Sequence, residues 1–145
     1  MTHQAGITWL KISSISLVVL GALFSWGTMG PLADINLALI DFVILPVDGA
    51  QSFAATETRL LTAITGGLTA GFGMAIYMLT VHLYSKDQAV GGRAILVTTF
   101  VWFIVDGIGS VIAGVTFNVF ANFTFLIMIA LPVLLAARSS KVATV

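Results

Sequence analysis

The chain has 145 residues, of which 59% are hydrophobic and only 8% charged, and six basic side chains balance six acidic ones. A soluble domain carries roughly a quarter charged residues, so this composition argues against a water-soluble globule and for a lipid bilayer as solvent. No basic patch suits a nucleic acid, and the absence of cysteine removes disulfides, thiolate metal sites and cysteine nucleophiles.

At this length the chain reads as a single integral domain, residues 1–145. Ile12 to Ala33 contains no charged residue over 22 positions, and a helix needs about 20 to cross the hydrocarbon. This predicts a first membrane helix over about 8–30. A cleavable signal peptide would have a shorter apolar region of about 7–15 residues and a small-x-small site after it. Gly30-Pro31-Leu32-Ala33 offers no such site, so the helix is expected to be retained. Pro31 ends it, because proline lacks the N–H that a helix interior needs.

Residues 34–57 form the longest connection. Asp34 suits the N-cap of a short helix over about 35–45, too short to span, which is expected to lie along the interface or over the mouth of the bundle. Asp34, Asp41 and Asp48 read as a solvated acidic face. Thr56 and Glu57 suit the start of a second membrane helix over about 58–84. On it, Thr58, Thr62, Thr65 and Thr69 form one hydroxyl stripe, and Gly67-x-x-x-Gly71 suits close helix approach. Tyr84 suits the headgroup belt, and His82 reads as an interfacial residue.

After a polar loop at 85–92, a third helix is expected over about 93–115 and a fourth over about 117–137. Asn118 and Asn122 share a face of the fourth. Pro132 is tolerated in it, since neighbours can satisfy the freed carbonyl. The tail from Arg138 is polar. The fold class that results is an all-α membrane protein, a four-transmembrane-helix bundle with a short interfacial helix between helices one and two.

If four helices alternate, Lys11, Lys86, Arg93, Arg138 and Lys141 share one side with Asp87, for a net +4. The other side holds Asp34, Asp41, Asp48 and Glu57 against Arg59, for −3, and Asp106 supplies the last negative charge. The positive-inside rule then places both termini and the 85–92 loop in the cytoplasm.

Asp106 is the one acid inside a membrane helix. Nine residues before Val115, it is expected about 13 Å below the helix end at ~1.5 Å per residue, near the bilayer middle. An aspartate there costs about 2.5–3.5 kcal/mol on insertion scales, so it should face the bundle interior and take polar partners. The candidates at matching depth are Thr65, Thr69, Ser110 and Asn122, with Arg59 reaching inward as a counter-charge. This cluster is either a structural register device or an ion or ligand site. No catalytic set and no metal-ligand spacing stands out, and no cofactor is expected.

Two stretches carry a resemblance. Glu57-Thr58-Arg59-Leu60-Leu61 runs into Ala63-Ile64-Thr65-Gly66-Gly67 and Gly71-Phe72-Gly73. Trp102-Phe103-Ile104-Val105-Asp106 is followed by Gly109-Ser110, Ala113-Gly114, Asn118 and Asn122. Over roughly residues 40–135 the chain resembles small four-helix inner-membrane proteins of bacteria that have no assigned function. The resemblance implies a bacterial inner membrane as location and implies no activity. The expected function is a non-enzymatic accessory or structural membrane protein. Its partners would be the lipid bilayer and a homo-oligomer or larger membrane complex, with no nucleic acid. The alternative is a small oligomeric proton- or cation-coupled transporter using Asp106.

Overall fold

The computed structural model describes residues 1–142, with side chains as far as Ser139, and contains no strand among the described residues. Five helices follow in order: α1 (His3–Trp26), α2 (Ala33–Ile44), α3 (Thr56–Leu79), α4 (Gln88–Ile112) and α5 (Phe117–Val142). A π turn, Thr80–Tyr84, continues α3. Four helices are long and apolar enough to cross a membrane: α1, α3 with its π turn, α4 and α5. The Met1 amine donates to Ser139 Oγ at 2.8 Å, so both ends of the described chain stand at one end of the bundle, here the terminal end. The opposite end carries α2.

The boundaries shift from expectation for local reasons. α1 starts earlier because Thr2 Oγ1 accepts the Ala5 N–H at 3.2 Å, and it stops at Gly27. α4 starts at Gln88 because Asp87 caps it, its carboxylate accepting the N–H groups of Ala89 and Val90 at 3.0 and 2.9 Å. α3 begins at Thr56 itself, with Ala55 in the capping position. α5 continues through the stretch expected as a polar tail. Residues 143–145 of that tail, and the Lys141 side chain counted with the basic end, fall outside what is described.

The core lies in the terminal half, where Leu10, Ile76, Tyr84, Ile95 and Ile129 are fully buried. Tyr84 belongs there, which corrects the expected headgroup position. The π turn brings it inward against Gly91, where a Cβ would collide with the tyrosine backbone, and against Gly92, which its ring touches. His3 meets its ring edge-on, with centroids 4.7 Å apart. His82, on the same turn, is exposed. The buried hydroxyls of Ser14, Thr80 and Thr99 donate to the carbonyls of Leu10, Ile76 and Ile95 at 2.6, 2.7 and 2.8 Å. This back-bonding satisfies each hydroxyl within its own helix. Pro132 cannot donate to the Met128 carbonyl. Ser13 Oγ of α1 reaches that oxygen at 3.5 Å.

α1 and α3 form the tightest pair, and the small residues that make it possible are not those of the expected motif. A Cβ on Gly66 would lie 2.5 Å from the Gly21 carbonyl oxygen, and one on Gly73 would lie 2.8 Å from the Ser14 carbonyl oxygen. Around Gly67 and Gly71 there is open space. The contact face therefore runs Gly66, Ala70, Gly73, one residue around the helix from Gly67-x-x-x-Gly71.

α2 turns Asn36 and Asp41 inward. Asn36, fully buried, donates to the Leu23 and Gly27 carbonyls at 3.0 and 2.9 Å and so caps the end of α1. Asp41 is buried too, and its Oδ2 accepts the Gly49 N–H at 3.0 Å. It departs from the expected solvated acidic face, on which Asp34 and Asp48 remain exposed.

Replacing Gly66 with Ala is expected to lower stability by about 2–3 kcal/mol through overpacking against backbone. Gly67→Ala is expected to be neutral or to stabilise by up to about 1 kcal/mol. Unfolding titrations of both variants in mixed micelles check this; equal effects would contradict the assigned face.

Candidate functional site

The hairpin between α4 and α5 builds the site. Gly114, at φ +78°, ends α4 in the left-handed conformation. The Val115 N–H then bonds back to the Ser110 carbonyl at 2.9 Å, and the Gly114 N–H to the Val111 carbonyl at 3.0 Å. These are the two bonds of a Schellman cap. The helix stops at Ile112 and α5 begins at Phe117, so the first two turns of α5 stand level with the last two of α4. Asp106 is then six residues from the end of its helix, about 9 Å at ~1.5 Å per residue. That is shallower than the expected 13 Å and places it in the last third of α4.

Two amides hold the carboxylate. Asn118 Nδ2 donates to Asp106 Oδ2 at 3.2 Å and to Ser110 Oγ at 2.8 Å. Asn122 Nδ2 donates to the same Asp106 oxygen. Asp106 Oδ1 accepts no hydrogen bond among the described residues. The spacings explain why these four meet. Asp106 and Ser110 lie one turn apart on α4, and Asn118 and Asn122 lie one turn apart on α5, so two short polar stripes face each other across the hairpin.

Of the expected partners, Ser110 and Asn122 join this cluster. Thr65 and Thr69 stand across a cavity from it without bonding to the carboxylate; Thr69 Oγ1 donates instead to the Thr65 carbonyl at 2.9 Å. Arg59 is a correction. Its guanidinium donates to the carbonyls of Phe53 and Ala54 and to Thr56 Oγ1, the last at 2.9 Å. It braces the entry into α3 because it sits on the first turn, where these groups are nearest, and the expected pair with Asp106 does not form. Asn118 is the member that the expected set lacks, although its spacing from Asn122 marks the shared face.

The cluster opens into a half-enclosed cavity of about 840 Å³ bounded by all five helices. Leu39, Phe42 and Val43 of α2 cover one side, and Phe24, Phe72, Trp102 and Phe125 supply aromatic walls. Phe72 and Trp102 stack with centroids 5.3 Å apart. α2 is fastened on the other flank by the Phe42–Phe117 edge contact, at 5.5 Å. Toward the terminal end the bundle closes on buried Leu10, Ile76, Ile95, Ile129 and Val133. The cavity thus lies between α2 and this apolar layer, with the Asp106 cluster on its wall and exposed Leu68, Val101 and Val105 along its α3–α4 side.

Among the described residues no three His, Cys, Asp or Glu side chains come together. Comparison with protein-family models, with curated proteins and with solved structures gives no match.

Asn122 is 7% exposed, so its loss leaves a carboxylate short of a partner in a dry setting. Hydrogen bonds to charged groups are worth about 1.5–3 kcal/mol, and interhelical bonds in lipid average about 0.6, so Asn122→Leu is expected to cost about 1–2 kcal/mol. Adding Asp106→Leu should recover part of the loss, because the unpaired acceptor is then gone. A double-mutant unfolding cycle measures this, and strictly additive losses would show that the two side chains are not coupled.

Proposed function

We propose that the chain is a non-enzymatic, multi-pass protein of a bacterial inner membrane. In this reading it is an accessory or structural component whose Asp106 cluster serves a ligand site in the cavity beneath α2. The observation that carries it is a carboxylate half-committed to its own bundle. One oxygen is held by two amides, and the side chain lines a cavity of about 840 Å³. Ligand pockets commonly enclose about 300–1,000 Å³, with mostly apolar walls and a few convergent polar groups. Intramembrane acids mark ligand or ion sites more often than inert positions.

The charge asymmetry supports an orientation with both termini in the cytoplasm and the acidic 31–58 connection outside. Ile35, Phe42 and Leu45 are exposed, which suits α2 lying along the interface with lipid as its outer neighbour. The second reading, a proton- or cation-coupled transporter working as an oligomer, draws on the same carboxylate. The apolar seal argues against a continuous path through one chain and favours binding over conduction.

Since the chain has no cysteine, single-cysteine variants report orientation without background. Ala50→Cys is expected to react with a membrane-impermeant maleimide on intact cells, and Ser85→Cys only after permeabilisation; the reverse pattern would refute this orientation. In proteoliposomes, proton flux is expected to be the same with wild type and Asp106→Asn. A flux that the wild type supports and the folded Asp106→Asn variant loses would establish the transporter reading instead.

A further inference from the structure

We infer that the cavity selects an organic cation, a positively charged group carried on an apolar, preferably aromatic body. The inference rests on the ligand-binding reading above and names the ligand's class. Three independent features of the walls lead to it.

The first is a carboxyl group with no counter-ion. Arg59, the basic residue of the α2 end, is spent on Phe53, Ala54 and Thr56. Among the described residues no basic side chain contacts Asp106, and two neutral amides are its hydrogen-bond donors. A charge removed from water is costly unless it is paired, so a cation bound beside Asp106 Oδ1 gains more than any neutral guest.

The second is the direction of the remaining hydrogen-bonding capacity. Asn118 gives one N–H to Asp106 and the other to Ser110, Asn122 gives one N–H to Asp106, and the amide oxygens of both accept no hydrogen bond among the described residues. Thr69 and Thr124, both on the cavity wall, donate their hydroxyl protons to the carbonyls of Thr65 and Ala121, at 2.9 and 2.6 Å. What these groups have left is mostly lone pairs, against one remaining N–H of Asn122 and the Thr65 hydroxyl. Such a wall accepts from ammonium, amidinium or similar donors and repels carboxylates and phosphates.

The third is the aromatic lining. Trp102 stacks on Phe72 within the cavity, beside Asp106 on α4. Aromatic faces attract cations, and most strongly where water is excluded. A bare metal ion fits poorly, because hard cations need several oxygen ligands at short range and this wall is mainly carbon. A large, weakly hydrated organic cation uses both the carboxylate and the rings.

The test uses two probes of matched shape and opposite charge, tetraphenylphosphonium and tetraphenylborate. Each is titrated against the full chain in lipid nanodiscs, with protein-free discs subtracted. Saturable binding of the phosphonium is expected, at least tenfold tighter than that of the borate. Asp106→Asn should weaken it by tenfold or more, Asp106→Glu should retain most of it, and Trp102→Leu should weaken it several-fold at unchanged helicity and thermal midpoint. Should Asp106→Asn fail to fold, the contrast between the two ions on wild type and the Trp102→Leu variant decide the matter. Equal binding of both ions, or phosphonium binding indifferent to folded Asp106→Asn, overturns the cation assignment and leaves a ligand cavity standing. Absence of saturable phosphonium binding to folded wild type overturns it as well. Asp106-dependent proton flux, measured without either probe, would instead remove the binding reading on which the inference rests.

Discussion

A carboxylate in a low-dielectric bundle must be given partners or it destabilises the fold, and the half of this molecule that carries α2 is arranged around that requirement. Asp106 is served by Asn118 and Asn122 of α5, two amides one turn apart, and not by a counter-ion. The arrangement depends on the α4–α5 connection being short. Gly114 at positive φ stops α4 and lets the chain reverse within a few residues, so that polar side chains near the end of one helix meet those at the start of the next. The beginning of α5 also brings the positive end of a helix dipole to the level of the carboxylate.

The terminal half follows a different rule. There the hydroxyls of Ser14, Thr80 and Thr99 are satisfied by their own helices, and the packing comes from the close backbone approach of Gly73 to Ser14 and from Tyr84 seated on Gly91. The two halves divide the labour. The tightly packed one seals the bundle, and the looser one encloses a cavity. α2 links them to the surface: Asn36 fastens it to the end of α1, Asp41 fastens the following loop to it, and its apolar residues cover the cavity.

Much of this frame can be read from the residues, because hydropathy over some twenty positions is a strong signal and lone charges within it stand out. The four long helices, the short helix between the first two, and the meeting of Asp106 with Ser110 and Asn122 follow from run length and from spacings of four. The failures are equally local. Gly91-Gly92 resembles a loop until Tyr84 is seen to need the space. Gly67-x-x-x-Gly71 and the Gly66–Gly73 face differ by one position, about 100° around the helix, and only the partner helix decides between them. Asp41 carries no mark of burial in one dimension, since its partner is the backbone N–H of Gly49 in a folded-back loop. Charge alone pairs Arg59 with Asp106, whereas the loop carbonyls of Phe53 and Ala54 lie at its guanidinium.

The central claim is that the amides of Asn118 and Asn122 hold Asp106 at the edge of the cavity. The chain contains three asparagines, so selective ¹⁵N-asparagine labelling in nanodiscs gives three side-chain amide pairs, with Asn36 as an internal reference. All three pairs should be slow to exchange with water, and those of Asn118 and Asn122 should move in Asp106→Leu while the Asn36 pair stays in place. Asn118 and Asn122 amides that exchange as freely as exposed ones, or that are indifferent to the loss of Asp106, would contradict the account.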